Sequence, residues 1–558
     1  MPVTVRGTLS ERKSLLVRYT HALITFLLVT LAPCGFAADA GADAQSAHAP
    51  EQSKSAPVAP KPEERRFNIW EWRVEGNTLL DKVQIERTVY PFLGPSRSLQ
   101  DVENARQALE TVYRDAGYPT VIVDIPEQDV SEGIVKLQVI QGTVARVRVT
   151  GSHYFALGRI RAGVPALAEG EVPNLPALQE QLKAVNQAAP DRSVTPIFRP
   201  GPTPGTVEAE LRVKDELPLH ADFELNDRYS KDTSKLRASV TLRYANLWQR
   251  EHSASIMYQT SPQDTKDVEV YAGTYVMPLA PGEVLAAYLV NSKSDVATAG
   301  NLSVIGDGTI VGTRLVKSLA PVGDYFHSAI FGFDYKDFKE DVLPQAGTGT
   351  KTPIDYVNFV LQYRATLARE GSKLTGGLGA NFGVRGLGNS VGEFENKRYG
   401  AKPNYFYVTA FGDYTRDVAH GIQLYAALDG QLADSPLVSN EQFSAGGAES
   451  VRGYYESQVL GDDGITGNLE VRTPSFADAI PHVSELRFLV FADGSWARIR
   501  KPLPSQTSHF DLYGTGLGFR LKGDQGLAAT LDWAWALATE DDVHKGDSRV
   551  HFSLHYGF

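Results

Sequence analysis

A serine within a short glycine-containing motif is the first candidate for chemistry in this sequence. Gly388-Asn389-Ser390-Val391-Gly392 has the G-x-S-x-G spacing of a nucleophile elbow. In that motif a sharp strand-to-helix turn exposes the serine oxygen at the top of an α/β sheet. Here the motif lies in a predicted loop between two β segments, so the sequence argues against a serine nucleophile.

Other patterns of catalysis or cofactor binding are also weak. Gly377-Leu378-Gly379 is not followed by the glycine spacing of a dinucleotide site, and the sequence has no P-loop. The twelve histidines include no His-Glu-x-x-His pattern, and His551 and His555 are expected to be side chains of a strand rather than metal ligands. We therefore predict that the chain is not an enzyme and has no catalytic residues, no cofactor and no metal site.

The N-terminus has the composition of a secretory signal peptide. A basic segment ending at Arg18 precedes an apolar run over residues 22–32, and small residues follow this run. The run is too short to span a bilayer comfortably. We predict a signal peptide over residues 1–37. Lipidation of Cys34, the only cysteine, is the less favoured alternative because Pro33 precedes it.

The overall composition is that of a folded protein with an acidic balance. The 558 residues carry a net charge of −11, and the isoelectric point of about 5.6 argues against a nucleic-acid binder. No other segment approaches about 18 consecutive apolar residues, so we predict no transmembrane helix in the mature chain. A membrane-spanning role would then require a closed β-barrel, which also satisfies every backbone polar group in lipid.

Two similar β-α-α-β-β units follow a flexible linker, which we predict over residues 38–66 from its Ala, Pro and Ser content. The first unit is predicted at residues 67–142 and the second at residues 143–217. In each unit an apolar face with helical spacing marks the longer helix. The second strands of the two units are predicted at residues 120–125 and 193–199.

From residue 218 to the C-terminus the apolar pattern has a period of two residues. Along the last strand, apolar side chains from Val550 to Phe558 alternate with polar or small ones. Segments of about ten residues with this alternation are the signature of an outer-membrane barrel. For residues 218–558 we predict an all-β transmembrane barrel of about sixteen antiparallel strands. A soluble β-sandwich is the alternative, but it would not explain the terminal aromatic residue.

Two short motifs in this region carry a family resemblance. Residues 451–454 have the sequence Val-Arg-Gly-Tyr, and residues 488–494 have the sequence Phe-Leu-Val-Phe-Ala-Asp-Gly. They resemble the sixth-loop motif and the F-x-F-x-D-x-G strand motif of BamA-like barrels. By our count they lie after the eleventh strand and on the thirteenth. With two POTRA-like units ahead of the barrel, the chain resembles the ShlB/FhaC/HecB family, the TpsB transporters of two-partner secretion.

The resemblance implies a functional site inside the barrel. In the family the sixth loop folds back into the lumen, and its arginine pairs with the strand aspartate. An Arg–carboxylate pair can be bidentate and directional, so it can hold a long loop without closing the pore permanently. The matching pair here is Arg452 and Asp493, and Phe558 resembles the terminal signal for barrel assembly. The residues carried over from the motifs are Val451, Arg452, Gly453 and Tyr454 on the loop, and Phe491, Asp493 and Gly494 on the strand.

The resemblance also implies a transport function. The expected substrate is an unfolded exoprotein, haemolysin- or adhesin-like, with an N-terminal secretion domain. The POTRA units would recognise it, and it would pass through the barrel without nucleotide hydrolysis. The other expected partners are outer-membrane lipid, periplasmic chaperones and the barrel-assembly machinery, with no nucleic acid. The expected location is the outer membrane of a Gram-negative bacterium, with the POTRA units in the periplasm.

Substrate recognition is predicted at the edges of the POTRA sheets, where a strand of the exoprotein could be added. The candidate edges are residues 120–125 and 193–199, and proline at Val194 or Ile197 is expected to weaken binding. Three other functions stay open: a BamA- or TamA-like assembly factor, a porin-type channel and a surface enzyme. The identity of the exported partner, the oligomeric state and the presence of an N-terminal plug helix also stay open.

Overall fold

The computed structural model describes residues 65–231, 233–294, 296–299, 302–339, 341–342 and 350–558. The predicted signal peptide, Cys34 and the linker up to residue 64 lie outside these residues. The described residues form two compact units. The larger consists of Leu219–Tyr244 and His252–Phe558, and the smaller consists of the chain up to Pro218 together with Ala245–Glu251.

The smaller unit contains eight strands and four α-helices. The strands are β1 (Phe67–Ile69), β2 (Glu71–Glu75), β3 (Gly94–Arg97), β4 (Val121–Asp124), β5 (Ile134–Gln141), β6 (Thr143–Thr150), β7 (Arg192–Pro200) and β8 (Thr206–Asp215). The helices are α1 (Lys82–Val89), α2 (Leu99–Asp115), α3 (Leu157–Ala162) and α4 (Leu175–Ala188). Two three-stranded sheets result, in the orders β2-β5-β4 and β6-β8-β7. The last strand of each sheet is therefore central, and β4 and β7 are edge strands.

Helix α2 illustrates how local sequence specifies these elements. The Ser98 side chain accepts the backbone N–H of Asp101, and the Asp101 carboxylate accepts the backbone N–H of Ser98, which forms a capping box. The hydrogen bond from the Ser98 backbone lowers the pKa of Asp101. One face of the helix is buried against the sheet, as its spacing predicts. The buried residues of this face are Val102, Ala105, Leu109 and Tyr113.

The larger unit is a closed antiparallel barrel of sixteen strands, in which the last strand, Ser548–Gly557, pairs with the first, Leu219–Asn226, to complete the ring. The sequence prediction of an all-β barrel of about sixteen strands is confirmed. The barrel strands are β9 (Leu219–Asn226), β10 (Arg237–Leu247), β11 (His252–Thr260), β12 (Glu269–Ala280), β13 (Glu283–Lys293), β16 (Gly308–Ser318), β17 (Tyr325–Phe338), β20 (Ile354–Arg369), β21 (Ser372–Gly388), β22 (Phe406–Asp417), β23 (Gln423–Ala433), β26 (Asp463–Arg472), β27 (Val483–Arg498), β28 (His509–Gly523), β29 (Ala528–Ala536) and β30 (Ser548–Gly557).

Short elements lie in the connections between barrel strands. Three strand pairs and one helix are present there: β14 (Val296–Ala299) with β15 (Leu302–Ile305), β18 (Asp341–Val342) with β19 (Thr350–Lys351), β24 (Phe443–Ala445) with β25 (Val459–Gly461), and helix α5 (Val391–Lys397). In the part of the chain that the structure describes, every helix is too short or too polar to cross a bilayer.

The two faces of the barrel wall have opposite chemistry. On β23 the leucines Leu424, Leu428 and Leu432 are exposed on the outer face, whereas Gln431 on the inner face is buried. Because side chains alternate along a strand, the outer face is apolar and the inner face is polar. The barrel therefore presents hydrocarbon to lipid and collects its charged side chains in the lumen.

Candidate functional site

The connection between β23 and β26, residues 434–462, is the longest in the barrel, and we call it the lumen loop. Its tip carries the motif that begins at Val451 and ends at Tyr454, and both of these residues are fully buried. The hydrogen-bond partners of the motif residues lie on β26 to β30 and on the residues that follow β29. The loop is therefore folded back into the barrel.

The guanidinium of Arg452 binds three carboxylates from the barrel wall. Its Nε and Nη2 donate to the two oxygens of Asp493 at 2.7 and 2.8 Å. Its Nη1 donates to Glu470 at 2.7 Å and to Asp532 at 3.3 Å. The central carbon of the guanidinium also lies 3.5 Å from the ring centroid of Phe491. The structure thus brings Arg452 and Asp493 together in a bidentate pair.

Two further arginines balance the charge around this pair. Arg520 donates to Asp532 at 2.7 Å and to Glu470 at 3.2 Å, and Arg472 donates to Glu470 at 2.7 Å. Buried charges are tolerated when each is paired and hydrogen-bonded. We call this neutral set of three arginines and three carboxylates the tip anchor; its members are Arg452, Arg472, Arg520, Glu470, Asp493 and Asp532.

Glycines on β28 make room for the loop tip. A Cβ atom at Gly514 would overlap the carbonyl oxygen of Arg452, and one at Gly518 would overlap a carboxylate oxygen of Asp532. Glycine within a strand often marks such a close approach of backbone. The sequence analysis did not predict that the loop tip would press against this strand.

Gly453 and Tyr454 complete the seating of the tip. Gly453 has a φ of +101°, which favours glycine, and its N–H donates to Nε2 of His551 at 3.1 Å. The Tyr454 hydroxyl donates to the carbonyl of Ala538 at 2.8 Å and accepts the N–H of the same residue at 3.2 Å. His551 is therefore a contact of the lumen loop.

A second cluster, which the sequence analysis missed, holds the loop nearer to its start. The carboxylate of Glu441 accepts the hydroxyls of Tyr356 at 2.6 Å and Tyr407 at 2.7 Å, and it binds the ammonium group of Lys336. Gln431 donates to the backbone carbonyl of Glu441 at 3.0 Å. We call Glu441, Lys336, Tyr356 and Tyr407 the base anchor. Its lysine and two tyrosines lie on β17, β20 and β22, on a different part of the wall from the tip anchor.

The serine motif lies in the connection between β21 and β22, between two β segments as the sequence analysis expected. The connection also contains helix α5, which was not expected: Ser390 is its N-cap, and the Ser390 hydroxyl accepts the N–H of Glu393 at 3.4 Å. Ser390 and the glutamate three residues later form a capping box, which stabilises the first turn of the helix. The preceding strand belongs to the barrel rather than to an α/β sheet. Among the described residues, no group of three or more His, Cys, Asp or Glu side chains could hold a metal ion.

The remaining candidate residues lie apart from the tip anchor. Gly494 follows the inward-facing Asp493 on β27, so it occupies a lipid-facing position. It is paired there with Tyr513 of β28. The backbone of Phe558 exchanges two hydrogen bonds with Ala221, while its ring is 73% exposed. Val194 is buried in the core of the second sheet, and Ile197 lies on the same edge strand, β7.

Comparison with known proteins connects this architecture to a family. Residues 67–142 match the ShlB-type POTRA domain. Residues 205–521, more than half of the chain, match the family described as haemolysin secretion/activation protein ShlB/FhaC/HecB. The chain belongs to this family. It is an outer-membrane β-barrel transporter of two-partner secretion, and its POTRA region lies in the periplasm, as the sequence analysis predicted.

Individual relatives agree with this assignment. The outer membrane transporter CdiB of Dickeya dadantii (strain 3937) is 23% identical over 440 residues, which cover 77% of this chain and 76% of that protein. The heme/hemopexin transporter protein HuxB of Haemophilus influenzae is 21% identical over 389 residues, covering 67% of this chain and 66% of that protein.

Two solved structures share the fold. CdiB from Escherichia coli superposes with a TM-score of 0.55 at 18% identity, over 90% of this chain and 93% of that chain. BamA from Haemophilus ducreyi, in a form that lacks POTRA domains 1–3, gives a TM-score of 0.54 at 13% identity, over 88% of this chain and 100% of that chain. At these identities the likeness concerns the fold alone.

Proposed function

We propose that this transporter recognises an unfolded exoprotein through its periplasmic units and passes it through the barrel without nucleotide hydrolysis. Domain boundaries at residues 67–142, 143–217 and 218–558 accompany this proposal. The observation that supports it most is the position of the lumen loop, whose buried tip is joined to the barrel by hydrogen bonds that each include a side chain. Such contacts can be released and remade during passage of a chain, and folding of the exoprotein outside can give the movement its direction.

An export assay tests this function. If a large exoprotein is encoded beside the transporter gene, the two are co-expressed, and the exoprotein in the medium is quantified with and without the transporter. Export that depends on this chain supports the proposal and identifies the substrate. Export that is independent of the chain, together with loss of other barrels from the outer membrane on deletion, would instead favour a BamA-like assembly factor.

Recognition by strand addition is proposed at the POTRA edge strands, and their side-chain contacts limit where a strand can bind. In β7 the N–H and C=O of Val194 are both bound by the Asn186 amide, at 2.7 and 3.2 Å. In β4 the N–H of Val123 is bound by Glu110 at 3.1 Å, and its C=O is bound by Arg106 at 3.3 Å. In both sheets, helix side chains therefore occupy the backbone N–H and C=O of one residue on the open edge.

The alternation of the backbone shows which groups are left on β7. Because Val194 directs its N–H and C=O away from β8, Pro196 and Phe198 do so as well. Proline has no N–H to donate, so Phe198 carries the available N–H of this edge. The backbone N–H and C=O of Ile197 are directed toward β8, so proline at that position would remove a hydrogen bond within the sheet itself. Phe198 is thus a sharper test position than Val194 or Ile197.

The test compares Phe198→Pro with Phe198→Ala in the full-length transporter. Loss of one backbone hydrogen bond is expected to weaken exoprotein binding by several-fold, at about 1 kcal/mol. The alanine variant keeps the N–H and controls for loss of the ring. Titration with the N-terminal secretion domain gives the dissociation constants. Equal binding by Phe198→Pro and Phe198→Ala would exclude β7 as the capturing edge.

A further inference from the structure

A pocket of about 380 Å³ lies at the end of β27, where the chain leaves the barrel wall opposite the periplasm. Four basic residues line it: Lys402, Arg498, Arg500 and Lys501. Asp434 lies at its edge, and Asp463 lies beneath the two arginines. The six side chains carry two more positive than negative charges, so the pocket is suited to an anion.

The strand register places this pocket on the lipid side of the wall. The last outward-facing apolar residues on three strands are Leu432, Ile465 and Trp496, which are 60%, 46% and 36% exposed. Asp434, Asp463 and Arg498 lie two residues from these apolar residues, on the side farther from the periplasm. Because side chains two residues apart share a face, these charged residues lie on the lipid-facing side of the wall above its apolar band, with Asp463 buried beneath the others.

The level of the pocket corresponds to the membrane interface. The Arg498 guanidinium lies 5.8 Å from the ring centroid of Trp496. Aromatic side chains of outer-membrane barrels lie at the boundary between hydrocarbon and headgroups. The pocket therefore lies at the depth of the headgroups of the outer leaflet, which in this membrane is formed by phosphorylated lipopolysaccharide.

The guanidinium and ammonium groups of the pocket are accessible from the headgroup layer. Asp463 is fully buried and accepts from Nε of Arg498 and Nε of Arg500, both at 2.9 Å. One carboxylate thus orients two guanidiniums, which stay 45% and 32% exposed. Lys402 and Lys501 make no hydrogen bond or ion pair with the described residues. Their ammonium groups are available to a ligand.

We propose that this pocket binds a phosphate group of lipid A, the lipid anchor of lipopolysaccharide. Guanidinium groups donate to phosphate oxygens in a bidentate manner, and lysines add point charges. The adjacent surface of Leu432, Ile465 and Trp496 would contact the acyl chains of the same lipid. Basic pockets at the membrane surface bind lipid headgroups by this combination. The site includes the first residues of the lumen loop but none of the residues of the tip anchor, and it does not depend on how the exoprotein is recognised.

The test measures lipid A binding to the purified full-length transporter in detergent by native mass spectrometry. The ligands are lipid A with both phosphates, lipid A from which the phosphates have been removed, and inorganic phosphate. The main variant is the double substitution Lys402→Gln and Lys501→Gln, since neither lysine is bonded to another side chain. The matched control removes two lysines near the periplasmic rim, Lys317→Gln and Lys522→Gln.

Phosphorylated lipid A is expected to bind the double variant about tenfold more weakly than the unsubstituted chain, as for the loss of charge-assisted contacts. The control is expected to bind like the unsubstituted chain. Equal binding of the dephosphorylated lipid, or an unaffected double variant, would overturn the proposal. Inorganic phosphate that competes as strongly as lipid A would show a free-anion site and also overturn it. Should the double variant fail to fold, the single substitution of the exposed Lys501→Gln repeats the measurement.

Discussion

The lumen loop is attached to the barrel wall at two places, and the buried charge of the loop is compensated differently at each. At the tip anchor, Arg452 is held by three carboxylates, and two other arginines share these carboxylates. At the base anchor, Glu441 has one cation, Lys336, and two tyrosine hydroxyls. The tip anchor is thus a network in which Arg452 joins three carboxylates and Glu470 joins three arginines. The base anchor depends on one ion pair.

This difference decides how each anchor fails. Removing Arg452 leaves Asp493 without a cation, although the other two carboxylates keep their arginines. Removing Lys336 leaves the carboxylate of Glu441 with hydroxyl donors alone. Position matters as well. The tip carries the family motif and contacts β27 and β30, and β30 closes the barrel with β9. The base binds β17, β20 and β22. We expect the tip to control passage and the base to control where the loop sits.

The largest effect is expected from the tip. Arg452→Ala or Asp493→Ala should leave barrel insertion largely intact but lower secretion of the exoprotein by more than tenfold. Breaking a buried pair costs about 3–5 kcal/mol, so the tip no longer holds its position. Secreted exoprotein is measured in the medium, and insertion is measured by the heat-dependent shift of the barrel in gels. Arg416→Ala, at an exposed arginine of β22, is the control. Normal secretion by either tip variant would mean that the pair has no functional role.

A change at the base anchor is expected to alter the position of the loop, and therefore the conductance, more than it alters secretion. Lys336→Met keeps the length of the side chain but leaves the buried carboxylate of Glu441 with hydroxyl donors alone, at a cost of about 3 kcal/mol. We expect larger and more variable conductance in planar bilayers, with secretion reduced only a few-fold. Lys336→Met combined with Glu441→Gln removes both charges and should restore part of the wild-type conductance. Failure of this pair to restore it would place the effect outside the ion pair.

Sequence reasoning predicted one of these anchors and missed the other for a physical reason. Arg452 and Asp493 lie in short motifs with fixed spacing, and the period-two pattern placed Asp493 on a strand. Glu441, Lys336, Tyr356 and Tyr407 are single residues on separate elements, and no local pattern joins them. Their contact depends on the path of the loop through the lumen. The barrel itself was predictable because the alternation of apolar and polar side chains repeats along every strand.

The same reasoning accounts for the smaller discrepancies. Ser390 was expected in a loop because the surrounding segments are β strands, but its capping box with Glu393 is sufficient for a helix of two turns. At the edge strands, the sequence indicated the strands but not their side-chain contacts. The amide of Asn186 reaches Val194 from helix α4, and that contact requires the packing of the helix on the sheet.

A smaller effect is expected where the backbone of the loop meets the wall. Gly514→Ala introduces a methyl group against the carbonyl oxygen of Arg452. Overpacking of this kind costs about 1–3 kcal/mol, so the tip should be displaced while its charges persist. We expect secretion to fall several-fold. Gly467→Ala is the control, because a Cβ there has ordinary contacts with the wall. Similar secretion by the two variants would indicate that the tip does not press on β28 during transport.

The smallest expected effect is the coupling between the anchors, and it determines whether the loop moves as one body. Arg452→Ala, Glu441→Gln and the double variant form a cycle, measured by secretion and by conductance. The anchors have no binding side chain in common, so independent release predicts that their free-energy effects add to within about 0.5 kcal/mol. Coupling well above that value would mean that the strand pair β24–β25 transmits displacement from one anchor to the other. The lumen loop would then leave its seat as a rigid hairpin, and the base anchor would control passage as directly as the tip.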